Sequence, residues 1–147
     1  MTLDGREKLI EDAALPDSPV LTWSYDADAQ WWEAKVPLDS PALPAGLLTL
    51  AVAGEGAPDP ALVRHATEIV RDFLRLEGAL STLLEVEARR FAGALADEVR
   101  GLSLASVNLP WPDRPAEGVV HFDGGGGDRV FRCDYVEGAL RDLAFDE

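Results

Sequence analysis

Side chains able to do chemistry are sparse in this chain and lie far apart. It holds two histidines, His65 and His121, and a single cysteine, Cys133. A zinc centre takes three or four nitrogen, sulfur or oxygen ligands at regular spacing, and this set does not supply them. Cys133 would need exposure beside a positive group to act as a nucleophile. In a strand its neighbours Arg132 and Asp134 point to the opposite face, so a buried core thiol is expected. From His121 to Arg129 the chain carries the glycine run Gly124 to Gly127. A glycine loop can cradle phosphate, but such a site also calls for a following helix and usually a lysine. Here a strand pattern follows, no lysine is present, and Asp123 and Asp128 flank the run. The calcium loop with its terminal glutamate is absent as well, which leaves a hairpin connection. The carboxylate pairs Asp26 with Asp28 and Glu85 with Glu87 sit in no apolar context that would raise a pKa. No Gly-x-Ser-x-Gly elbow occurs. No catalytic residue, no cofactor site and no metal site is expected.

The aromatic residues offer more. Trp23, Trp31, Trp32 and Trp111 are the four tryptophans. Strand alternation places Trp32, Ala34 and Val36 on one face and Trp31, Glu33 and Lys35 on the other. Trp111 lies in a proline-rich loop, and Arg132 falls on the outer face of its own strand. Exposed tryptophan and arginine are favoured anchors at protein interfaces, so Trp31, Glu33, Lys35, Trp111 and Arg132 are the candidate partner-binding residues. The opposing reading also stands: Trp111 packs back as a loop plug, and Trp31 lies under the N-terminal segment.

Positioning these residues requires the following elements. Residues 1–18 read as a lead-in, helical over 8–14 and frayed. Strands are predicted at 20–25, 31–36 and 47–52 from their aromatic and β-branched content. Asp59 then suits a helix N-cap and Pro60 the first helical position. Leu62, Val63, Ala66, Ile69, Val70, Phe73 and Leu74 form an apolar stripe. Gly78 ends or kinks this helix. A second helix spans 79–100 with Leu80, Leu83, Leu84, Ala88, Phe91, Ala92, Leu95 and Val99 as its stripe, and Gly101 as its cap. Phe73 and Phe91 are the expected centre of the core. Strands are predicted again at 102–107, 118–123, 130–135 and 140–145, the last two joined around Glu137-Gly138. Grouped strands and helices argue α+β: one domain, a mostly antiparallel sheet of six or seven strands, two helices on one face, in the order βββααββββ.

Charge narrows the class of partner. There are 27 acidic and 13 basic residues in 147, a net charge of −14. The excess lies mainly outside the central helical block. Such a field repels phosphate backbones and anionic membranes and favours a basic protein partner, or solubility alone. No apolar stretch is long enough to span a membrane, the first residues have no signal-like apolar region, and a lone thiol fits a reducing cytosol.

Part of the C-terminal third carries a resemblance. Leu102-Ser103-Leu104-Ala105-Ser106-Val107, Leu109-Pro110-Trp111-Pro112, Arg132-Cys133-Asp134-Tyr135-Val136-Glu137-Gly138 and Leu143-Ala144-Phe145-Asp146 resemble segments of small acidic bacterial proteins from a domain-of-unknown-function family. Some similar proteins are immunity proteins, which neutralise a toxin. The resemblance implies a fold and no catalytic residue. The expectation is a cytosolic, non-catalytic protein-binding domain with an acidic surface, monomeric or homodimeric, in an immunity-like role. Two alternatives remain open: a small hydrolase or ligand-binding domain with a site assembled from distant residues, and a structural homodimer built on a sheet edge.

Overall fold

In the computed structural model the described residues are 7–10, as backbone alone, 21–124 and 129–146. The fold is α+β. Strands β1 (Glu7–Ile10), β2 (Leu21–Asp26), β3 (Trp31–Pro37) and β4 (Leu47–Val52) precede helices α1 (Pro60–Arg71), α2 (Phe73–Ala88) and α3 (Gly93–Arg100). Strands β5 (Leu102–Leu109), β6 (Glu117–Gly124), β7 (Val130–Val136) and β8 (Ala139–Asp146) follow. All eight form one sheet in chain order. Every pairing is antiparallel except β4 with β5, which run parallel because three helices cross over between them.

The pleat decides which face is covered. Along β3, Trp32, Ala34 and Val36 are buried. Trp23 in β2, Leu48 and Leu50 in β4, Val107 and Leu109 in β5, Val120 and Phe122 in β6, and Phe131, Cys133 and Tyr135 in β7 continue this inner face. The buried stripes of α1 and α2 join the same hydrophobic cluster. Helix α1 starts as its sequence dictates: Asp59 Oδ1 accepts from the amides of Ala61 at 2.9 Å and Leu62 at 3.2 Å, with Pro60 at the first turn.

Several expectations need correction. The first helix breaks at Asp72, whose φ of −112° and ψ of 36° leave the helical region. Gly78 lies inside α2, where nothing stands within 4 Å of where a Cβ would be; one interior glycine is tolerated. The expected second helix is interrupted after Ala88, and α3 begins at Gly93 with φ +61°, a conformation glycine adopts without strain. There are thus three helices. Phe91 falls in that interruption and only borders the core. Leu74, past the Asp72 break, is 78% exposed. Residues 8–10, expected to open a helix, lie in β1, because pairing with Leu21 to Trp23 of β2 supplies their hydrogen bonds. The rest of that expected helix lies outside the described residues.

Candidate functional site

Two surfaces converge polar groups. The first is the outer face of the sheet, opposite the helices. Register brings its side chains into rows. Lys35 pairs with Thr49, Thr49 with Ser106, Ser106 with His121, and His121 with Arg132. The adjacent row runs Ser24, Glu33, Ala51, Asn108, Val119, Asp134 and Arg141. A β-bulge between Leu104 and Ser106 turns Ser106 onto this face.

Three of the five sequence-predicted residues, Trp31, Glu33 and Lys35, therefore share the outer face of β3. Arg132 shares it from four strands away, roughly 19 Å at ~4.8 Å per strand. Trp31 is half-buried, and its Nε1 donates to Glu33 Oε2 at 2.8 Å. Arg132 Nη1 donates to Asp146 Oδ2 at 2.6 Å. Trp111 is not on the sheet. It sits half-buried in the β5–β6 loop with the Arg114 guanidinium 4.5 Å above its ring. Leu109 opposes Val52, which opposes Trp32, so this loop leaves the sheet at the end where β3 begins.

Between the two rows, Asn108 Nδ2 donates to His121 Nδ1 at 3.3 Å. Burial, and then the Arg132 charge, hold the His121 pKa below its usual value. With the Asn108 amide as donor, Nδ1 accepts and the proton of the neutral ring sits on Nε2.

The second surface is on the helix side, at the β7–β8 turn. Glu137 (φ 51°) and Gly138 (φ 89°) form the two-residue connection with both backbones in the left-handed region, the turn that matches strand twist. It closes an open cavity of about 460 Å³ lined by His65, Glu68, Arg71, Asp72, Arg75 and Tyr135 among others. His65 Nε2 lies 2.8 Å from the Tyr135 hydroxyl and its Nδ1 3.5 Å from Glu68 Oε2. Burial lowers the His65 pKa against the opposing pull of Glu68. The imidazole is accordingly neutral near pH 7, Nδ1–H faces the carboxylate, and Nε2 accepts from the phenol. Burial pushes the Tyr135 pKa up to about 12, Arg75 and the Gly138 backbone pull it down, and Glu68 adds to the rise. Arg75 Nη2 donates to the Glu137 carbonyl at 3.5 Å, and its guanidinium lies about 3.0 Å from where a Gly138 Cβ would stand.

No protein-family model, no curated protein and no solved structure matches this chain.

Cys133 is buried, and its thiol is pushed up to about 12 by burial, then by Asp134 and Asp142. It does not reach either surface as a thiolate. Among the described residues, no three His, Cys, Asp or Glu side chains converge where they could hold a metal ion. Asp128 and most of the glycine run lie outside the described residues. Sequence reasoning missed the His65–Tyr135 cavity. Its only signals were a histidine at the edge of an apolar stripe and a tyrosine two positions before a turn.

Proposed function

We propose that this protein is a non-catalytic protein-binding domain whose outer sheet face takes a basic protein partner. The carrying observation is the charge and layout of that face. Helices cover one side of the sheet. On the other, Asp26, Glu33, Glu117, Asp123, Asp134 and Asp146 outnumber Lys35, Arg132 and Arg141 at outward strand positions. Two of the carboxylates are already engaged by arginines, Glu117 by Arg114 and Asp146 by Arg132. Asp134 and Asp123 remain exposed. Trp31 supplies an aromatic anchor among these carboxylates, which steer a cationic surface toward it.

An immunity-like role is one form of this reading. There the partner is a toxin, the protein works in the reducing cytosol of a bacterium, and the C-terminal resemblance supports it. Nucleic acid does not suit the face, since phosphates meet a negative field.

The test is a titration of a lysine-rich peptide into isotopically labelled protein, followed by amide and indole resonances. Salt-sensitive shifts confined to Trp31, Glu33, Asn108, His121 and Asp134 support the reading. Shifts confined to the helices, or equal shifts with a glutamate-rich peptide, contradict it.

A second reading, a ligand-binding domain, is favoured by the cavity that joins His65 to Tyr135.

A further inference from the structure

We infer that the cavity between α1, the start of α2 and the β7–β8 turn binds a small zwitterion, an α-amino acid with an apolar side chain. The inference rests on the ligand-binding reading and is independent of the sheet face.

Three features of the cavity select this chemistry. The first is a cationic end. Arg71 closes α1 and Arg75 lies in the first turn of α2, past the Asp72 break, both lining the cavity. Arg75 Nη2 reaches the Glu137 carbonyl at 3.5 Å, a long contact on the exposed rim of the cavity. Arg71 makes no ion pair among the described residues, so its guanidinium donors are available to a carboxylate.

The second feature is an acceptor end. The Tyr135 hydroxyl directs its only hydrogen to His65 Nε2 and is approached by the Gly138 backbone N–H, so one lone pair remains for an incoming donor. His65 is a positioning residue here, because it fixes the direction of the phenolic hydrogen. Glu68 stands beside it and adds negative charge. Arg75 also acts on this phenol, so an ammonium group finds its acceptor and counter-charge on the Glu68 side of Tyr135, with the guanidinium left to the carboxylate.

The third feature is the lining charge. Glu68, Asp72 and Glu137 line the same cavity as the two arginines. A dianion such as phosphate meets three carboxylates, and a bare cation meets two guanidiniums. A ligand carrying one charge of each sign satisfies both ends. Ile69 and Leu76 supply an apolar wall for its side chain. The volume of about 460 Å³ falls in the ~300–1,000 Å³ range of small-molecule sites.

The experiment measures thermal unfolding of the full chain with four matched probes: L-leucine, isocaproate (leucine without its amine), isopentylamine (leucine without its carboxylate) and inorganic phosphate. A ligand that binds only the folded state raises Tm. L-leucine at millimolar concentration should raise Tm by about 2 °C or more, with each fragment well below it. Arg71→Gln, a surface change, and Tyr135→Phe, which removes only the hydroxyl, should each abolish the shift. Equal shifts with isocaproate or phosphate overturn the zwitterion and leave an anion site. An equal shift with isopentylamine leaves a cation site. No shift with any probe overturns both the inference and the ligand-binding reading. A leucine shift that survives both variants places binding elsewhere and also overturns the inference.

Discussion

The indole Nε1 of Trp31 donates to Glu33 Oε2 at 2.8 Å, joining two residues that point the same way from one strand. The bond satisfies the polar edge of the ring internally and lays the indole along β3. It leaves the ring's remaining exposed surface apolar, with a carboxylate fixed at its rim. Among the described residues no helix lies over this sheet face, and the proposed partner surface is centred on this pair.

The inner tryptophans differ in one respect that stability measurements can read. Trp32 Nε1 donates to the Gly54 carbonyl at 3.1 Å, whereas Trp23 Nε1 is buried with no partner among the described residues. Trp32→Phe should cost about 1 kcal/mol more than Trp23→Phe, because only the first loses a hydrogen bond. Chemical denaturation of both variants gives the comparison. The opposite order would contradict the assignment.

Core position separates the two phenylalanines first expected to act alike. Phe73 is buried at the start of α2, while Phe91 lies in the interruption before α3. Phe73→Ala should cost roughly 3–5 kcal/mol and Phe91→Ala roughly 1–2 kcal/mol. Equal costs in urea unfolding would place Phe91 in the core after all.

Both histidines have folded-state pKa values below the usual 6.5. The unfolded chain therefore binds their protons more readily. Their contribution to stability is fully present above pH 6.5 and is lost as pH falls through the folded pKa values. Unfolding free energy should decline as pH drops below about 6.5, and His65→Gln should flatten that decline. Stability that rises on acidification over this range, or an unchanged slope in the variant, would contradict the geometry at Tyr135.

Cys133 should be chemically silent in the folded protein. Its pKa rises from 9.0 to about 12, and the side chain is buried. A thiol-disulfide reagent at pH 8 should label it only on unfolding, since the thiolate is the reactive form. Labelling within minutes in native buffer would show an exposed thiol.

Much of this fold is legible in short-range pattern. The alternation that buries Trp32, Ala34 and Val36 is written in β3 itself, as is the start of α1 in Asp59-Pro60 and the β7–β8 turn in Glu137-Gly138. The helix breaks were not, because periodicity runs on through Asp72 and Gly93 while interior Gly78 draws the eye. The short β1 depends on β2 for its structure, and nothing local distinguishes it from a frayed helix. The outer-face residues Trp31, Glu33 and Lys35 were readable because they sit on one strand. Their alignment with Arg132 needed the register of four pairings. The cavity was illegible because His65 and Tyr135 meet only after β7 folds back under α1.

The central claim is that the outer sheet face, anchored at Trp31, is the partner surface. Its most direct test is calorimetric titration of a lysine-rich peptide into the wild type and Trp31→Ala, with melts of both. The account predicts roughly 30-fold weaker binding, equivalent to the ~2 kcal/mol of an interface anchor, with stability changed by no more than about 1 kcal/mol. Unchanged affinity in Trp31→Ala, or a collapse of stability that makes Trp31 a core residue, would contradict it.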